Sequence, residues 1–195
     1  MSANHPKPGS LLTVEPIKSR RDIATIKRLL ADHPRNSALF VIGINTALRA
    51  GELLSLTAGQ ARAIVVAGQD GGLVRERKTG KCRRLLLNGA ARTALARLLG
   101  SRNFADPDPL FSGQRGRLTP SYLCRLVKSW CAAINLPGHY GAHTLRKTWG
   151  YHQRVSFGVD IPTLMDVFGH ASQRQTLTYL CIQPEEIRSV YANEL

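Results

Sequence analysis

Three short segments of this chain combine cations with groups that can attack phosphorus or move a proton. In the first, Thr46-Ala47-Leu48-Arg49-Ala50-Gly51-Glu52-Leu53, an arginine follows a fully apolar run. Glu52 is three residues further on, where it can orient the guanidinium on the same helical face. The second, His143-Thr144-Leu145-Arg146-Lys147-Thr148, sets an imidazole and a guanidinium one helical turn apart. A guanidinium can grip two phosphate oxygens at once, while an imidazole donates to a third or carries a proton. The third runs from Phe168 to Leu180 and supplies His170 and, nine residues later, Tyr179. A phenolate is a competent nucleophile when neighbouring cations stabilise the developing charge. Taken singly, each segment has a plainer reading. Arg49 and Glu52 suit a surface ion pair, His143 and Arg146 suit a helix surface, and Tyr179 suits a core ring with its hydroxyl satisfied.

These residues need a scaffold, and the apolar pattern supplies one. Residues 1–18 contain three prolines and little periodicity, and read as an arm. Ser19 can cap a helix over 20–32, with Ile23, Ile26, Leu29 and Leu30 on one face. The run Leu39–Ile44 is apolar all round and reads as a buried helix ending near the Arg49 segment. Ala63–Ala67, Leu73–Arg77 and Arg83–Leu87 read as three short strands, the last two joined by the basic turn Lys78-Thr79-Gly80-Lys81. Asn88 can cap a helix carrying Leu95, Leu98 and Leu99, and Thr119-Pro120 opens another. The latter buries Leu123, Leu126, Val127, Trp130, Cys131 and Ile134. Further helices are expected at 143–156, 161–168 and 172–181, with a last one from Pro184. The fold class is therefore α+β and mainly α-helical, with a small three-stranded antiparallel sheet.

Composition narrows the partner. Lys and Arg number 27 against 13 Asp and Glu, a formal charge of +14, while 43% of residues are apolar. That is a globular chain whose charge points to a polyanion, nucleic acid before an acidic membrane surface. No run approaches the ~18 apolar residues of a membrane span, and residues 1–10 lack the apolar core of a signal peptide, so no membrane partner is expected. The four cysteines, Cys82, Cys124, Cys131 and Cys181, have no C-x-x-C spacing. They form neither a zinc framework nor a disulfide scaffold, which fits a reducing cytoplasmic setting.

In order and spacing together, the reactive residues are far more specific. R…K…H-x-x-R…H-x8-Y resembles the catalytic set of the tyrosine recombinase (phage integrase) family, from about residue 20 to residue 193. Thr46–Leu53 resembles the family's T-G-L-R-x-x-E-L box, His143–Thr148 its H-x-L-R-x-T box, and Gly169–Tyr179 its G-H…T…Y box. The Lys78–Lys81 turn resembles its mobile β-hairpin. The resemblance implies a recombinase catalytic domain over 19–195 that cuts and rejoins DNA with no cofactor and no metal. Tyr179 would form a 3′-phosphotyrosyl link and release a 5′-hydroxyl. Arg49 and Arg146 would clamp the non-bridging oxygens, and His143 and His170 would serve the phosphate and the proton of Tyr179. Glu52 would orient Arg49. Lys78 would protonate the leaving oxygen, with Lys81 as its rival. Arg75, Arg77, Lys81, Arg83, Arg84 and Lys147 would meet the DNA backbone.

The departures from the family pattern are Ala47 in place of a glycine and Lys147 where a second histidine often stands. The family's usual N-terminal core-binding domain also has no counterpart before Arg49. The resemblance thus implies a short single-domain member, or a fragment, whose clamp a partner protein could complete. It further implies double-stranded DNA as substrate, self-assembly into a tetrameric synapse, and a cytoplasmic, bacterial or phage-derived protein. The acidic segment Gln183–Leu195 is expected to dock on a neighbouring protomer or to complete its own domain. An accessory DNA-binding protein of the same fold with little cleavage, and a topoisomerase-like relaxing enzyme, are the competing expectations.

Overall fold

A computed structural model describes residues 13–75 and 82–182. Nine α-helices lie in the described residues: α1 Arg20–Leu29, α2 Pro34–Gly43, α3 Ala50–Ser55, α4 Ala58–Ala67, α5 Gly89–Gly100, α6 Pro120–Ala133, α7 Ala142–Val155, α8 Ile161–Phe168 and α9 Gln173–Leu180. Two short antiparallel pairs accompany them, β1 Gly72–Arg75 with β2 Cys82–Leu85 and β3 Ser112–Gly113 with β4 Gly116–Arg117. None of these helices is long and apolar enough to cross a membrane.

Side-chain caps set many of the helix starts. The Ser19 hydroxyl accepts from the Asp22 amide at 3.2 Å, Asn88 from Ala91 at 3.0 Å, and Thr119 from Tyr122 at 3.2 Å. Each satisfies an amide that the first helical turn leaves without an intrahelical partner. On α6, Leu123, Val127, Trp130 and Cys131 are buried, and Trp130 meets Phe40 of α2 edge to face at 5.9 Å.

The sheet differs from expectation. Ala63–Ala67 is the end of α4, not a strand. The β-branched Ile64-Val65-Val66 favours a strand locally, but the segment inherits a helix begun upstream by a reciprocal cap. There the Thr57 amide donates to Gln60 Oε1 (3.0 Å) and the Gln60 amide to Thr57 Oγ1 (3.3 Å). Ala58, Ala61 and Ile64 then fall on one buried face, which leaves Val66 outside at 87% exposure. The expected three-stranded sheet is therefore the two-stranded β1–β2 pair, with Leu73 opposite Arg84 and Arg75 opposite Cys82. The β3–β4 pair was not foreseen. The helix expected from Pro184 lies outside the described residues.

Two apolar clusters share α7. The larger joins α1–α6 and takes Leu145; the smaller gathers Ile161, Leu164, Phe168 and Leu180 and packs against Trp149. Glycine makes the close approaches possible. A Cβ on Gly43 would stand 2.6 Å from Leu145 Cδ1, and one on Gly150 would stand 2.5 Å from Phe168 Cζ and 2.7 Å from Leu180 Cδ2. The end of the expected arm is not loose. Ile17 is 1% exposed, its amide donates to Thr148 Oγ1 at 2.8 Å, and its carbonyl lies 3.0 Å from His152 Nε2. A strap along 14–18 is thus stitched onto α7.

Candidate active site

Arg49 is delivered by the end of α2. Thr46, itself buried, donates to the Ile42 carbonyl at 2.9 Å, and the chain then turns so that Arg49 becomes the N-cap of α3. Glu52 holds it twice: Oε2 accepts from the Arg49 amide at 2.7 Å and Oε1 from Nη1 at 3.1 Å. The carboxylate also sits in the first turn of α3, where the helix dipole favours it. Glu52, expected to orient Arg49, thus holds both its backbone amide and its guanidinium.

The second guanidinium comes from α7, where Arg146 is only 7% exposed. Arg49 Nη2 and Arg146 Nη2 both reach the carbonyl oxygen of Phe168, at 3.5 and 3.4 Å. Phe168 is the last residue of α8. Gly169 follows in the left-handed conformation, φ 68°, and turns the chain so that the Gly169 and His170 amides return to Asp166 and Met165. The Phe168 carbonyl is left at the negative end of the helix, a natural acceptor for two cations. Both contacts are long, so an incoming anion with better geometry can displace them. The Arg146 guanidinium also lies 4.9 Å from the Phe168 ring centroid.

The ring of Phe168 organises the rest. His170 stacks on it at 5.2 Å, and Tyr179 tilts against it at 5.3 Å. His170 also meets Tyr179 edge to face at 5.1 Å, and its Nδ1 lies 3.0 Å from Oγ1 of the buried Thr176. That contact fixes the imidazole plane and leaves Nε2 for a ligand. The Tyr179 hydroxyl is buried and has no hydrogen-bond partner among the described residues. A buried polar atom in that state is costly, and a hydrogen-bonding group brought to it would relieve the cost.

Electrostatics separates the roles. Burial, followed by the charges of Arg146, Lys147 and Arg49, pushes the His143 pKa down. His170 is lowered by burial and then by Arg146 and Arg49. Both imidazoles are therefore neutral near pH 7 and able to accept a proton. Burial raises the Tyr179 pKa while Arg146 and Arg49 oppose the rise. The phenol thus stays protonated in the free protein, with the His170 imidazole against its ring and the charges of Arg146 and Arg49 acting on it.

Of the expected catalytic residues, Arg49, Arg146, His170 and Tyr179 meet around Phe168, and His143 lies one turn from Arg146 on α7. Lys78, with its rival Lys81, and Arg77 fall outside the described residues. Arg75 ends β1, Arg83 lies on β2, and Arg84 is exposed with its guanidinium donating to the Asp70 carbonyl at 3.0 Å. Lys147 is not on the expected DNA-facing surface. It is 2% exposed, with Nζ 4.7 Å from the Tyr179 ring centroid. The helical period explains this, because a residue directly after the inward-facing Arg146 turns about 100° toward α9. Reasoning from residue types missed Phe168, whose contribution is a backbone carbonyl and an unreactive ring. The only signal for it was its place before Gly169-His170.

Comparison with known proteins shows what the chain as a whole is similar to. The chain is 32% identical over 183 residues to the "Probable integrase/recombinase YoeC" of Bacillus subtilis (strain 168), covering 91% of this chain and 95% of that one. It is 29% identical over 180 residues to the "Tyrosine recombinase XerC" of Rhizobium meliloti (strain 1021), covering 87% of this chain and 54% of that one. It therefore spans about half the length of that XerC. Among solved structures, the XerA recombinase superposes with a TM-score of 0.72 at 22% identity, over 96% of this chain and 65% of that one. The "Phage integrase family" model matches residues 21–186. With that match over most of its length, and a fold shared with a recombinase, the chain belongs to the phage integrase family.

Proposed function

We propose that this protein is a site-specific recombinase that cuts and rejoins duplex DNA through Tyr179. The observation that carries the reading is the convergence of Arg49 and Arg146 on the Phe168 carbonyl, with Tyr179 packed on the Phe168 ring and its buried hydroxyl without a hydrogen-bond partner among the described residues. A scissile phosphate entering there would exchange the Phe168 carbonyl for its non-bridging oxygens as the acceptors of both guanidiniums.

The phenolic oxygen attacks phosphorus in line and the bond from phosphorus to the 5′-oxygen breaks. The phenol proton passes to a neutral imidazole of His143 or His170, and the leaving oxygen takes a proton from Lys78 or Lys81. Attack by a 5′-hydroxyl on the phosphotyrosyl link reverses these steps and reseals a strand. The phosphodiester energy is kept in the protein–DNA bond, so the cycle needs no nucleotide. Each arginine, as a preorganised donor to the pentacoordinate transition state, is worth about 3–4 kcal/mol. A complete exchange between two duplexes cuts four strands, which calls for four copies on paired sites. The +14 charge and the cations on β1 and β2 suit the DNA backbone.

The test uses duplexes from the DNA flanking the gene, nicked near each candidate scissile phosphate so that the released fragment diffuses away. Wild type accumulates a denaturant-resistant protein–DNA adduct and Tyr179→Phe does not. Salt-sensitive binding with no adduct on any such duplex would support an accessory DNA-binding role instead.

A further inference from the structure

Lys147 is a buried cation that the proposed chemistry leaves without a task. Its Nζ lies 4.7 Å from the Tyr179 ring centroid and 4.0 Å from Cys181 Sγ, two residues beyond the tyrosine. Burying an ammonium is costly unless something compensates it, and an aromatic face is one such partner. Burial lowers its pKa, while Cys181 and Glu15 on the strap raise it; on its own helix His143 and Arg146 are near in sequence. Among the described residues the Tyr179 hydroxyl has no hydrogen-bond partner, so the contacts that hold the tyrosine there are those of its ring. Those contacts are Phe168 at 5.3 Å, His170 at 5.1 Å and the Lys147 ammonium.

We propose that Lys147 is a positioning residue for the nucleophile, its ammonium seated on the Tyr179 ring so that the phenolic oxygen is aimed at the phosphate site. The proposal rests on the reading of Tyr179 as nucleophile. Lys147 reaches the reacting atoms through that ring and makes no contact with DNA.

The experiment compares wild type, Lys147→Met and Lys147→Arg on a nicked duplex, measuring DNA affinity and the rate of adduct formation at saturating DNA separately. Lys147→Met keeps the length of the side chain and removes the charge. Its affinity should stay within about twofold of wild type, while its saturated rate falls about tenfold. Lys147→Arg, which keeps a cation able to sit on a ring, should recover part of that rate. If Lys147→Met does not fold, Lys147→Gln takes its place in the same comparison. An unchanged saturated rate overturns the proposal, as does weakened binding with a salt slope reduced by about one, the mark of a phosphate contact. A rate loss that Lys147→Arg does not relieve at all also overturns it. If wild type forms no adduct, the reading of Tyr179 falls and takes the proposal with it. Adduct formation by wild type and by Lys147→Met at equal rates overturns the proposal alone.

Discussion

Gly150→Ala should damage the site from a distance, because α7 touches Phe168 there. A Cβ at this position would lie 2.5 Å from Phe168 Cζ, 2.7 Å from Leu180 Cδ2 and 2.9 Å from Phe168 Cε2. To restore ordinary contact, α7 must part from α8 and α9 by roughly 1 Å. Overpacking against two rigid neighbours costs about 3 kcal/mol, and the better helix propensity of alanine returns about 1 kcal/mol. The net loss of about 2 kcal/mol lowers Tm by roughly 4–8 °C in a chain of this size. The larger effect is on chemistry. Phe168 supplies the carbonyl that Arg49 and Arg146 share and the ring against which His170 and Tyr179 pack. Its retreat misplaces all four groups together, and a displacement of this size costs about 10²-fold in rate. The assay pairs thermal unfolding with adduct formation at saturating DNA, measured well below Tm. Gly100→Ala, at a helical position with nothing within 4 Å, is the control and should be neutral or stabilising by up to about 1 kcal/mol. A Gly150→Ala protein with lowered Tm but an unchanged rate would refute the role given to Phe168.

Two further outcomes follow from the site and its strap. The pKa values of His143, His152 and His170 lie below the ordinary 6.5 in the folded protein, with burial the largest cause in each. The unfolded chain therefore binds more protons between those values and 6.5, so stability is full above that pH and declines as pH falls through the folded values. Urea midpoints should drop between pH 7.5 and 5.5, and a flat profile would contradict the buried, neutral imidazoles. Thr148→Val removes the hydroxyl that accepts from the Ile17 amide at 2.8 Å and leaves that buried donor unsatisfied. It should cost about 1–3 kcal/mol, with faster hydrogen exchange at Ile17, while Thr148→Ser retains most of the stability.

Local signals made much of the fold legible. Ser19, Asn88 and Thr119-Pro120 each start the helix that their chemistry suggests, because a cap acts within one turn and needs no tertiary context. The stretch 63–67 was not legible in this way, since its β-branched residues obey a cap six residues upstream and a burial pattern that only the folded core defines. In the site, the residue types and order pointed to Arg49, Arg146, His170 and Tyr179, which lie together around Phe168. They did not identify what brings these groups together. A backbone carbonyl has no residue type, and the aromatic ring of Phe168 reads as ordinary core. Lys147 was misplaced for a related reason: a lysine in a basic chain is assigned to the surface by default, and its burial depends on where α9 packs.

The most direct measurement of the central claim is the identity of the residue that carries the DNA. Adduct formed on a nicked duplex would be digested with nuclease and trypsin, and the nucleotide-bearing peptide sequenced by mass spectrometry. Cleavage after Arg174 and Arg188 releases peptide 175–188, in which Tyr179 is the single tyrosine. The account predicts a 3′-phosphate ester on Tyr179 and no such peptide from Tyr179→Phe. A nucleotide on any other residue, or an adduct that survives in Tyr179→Phe, would contradict it.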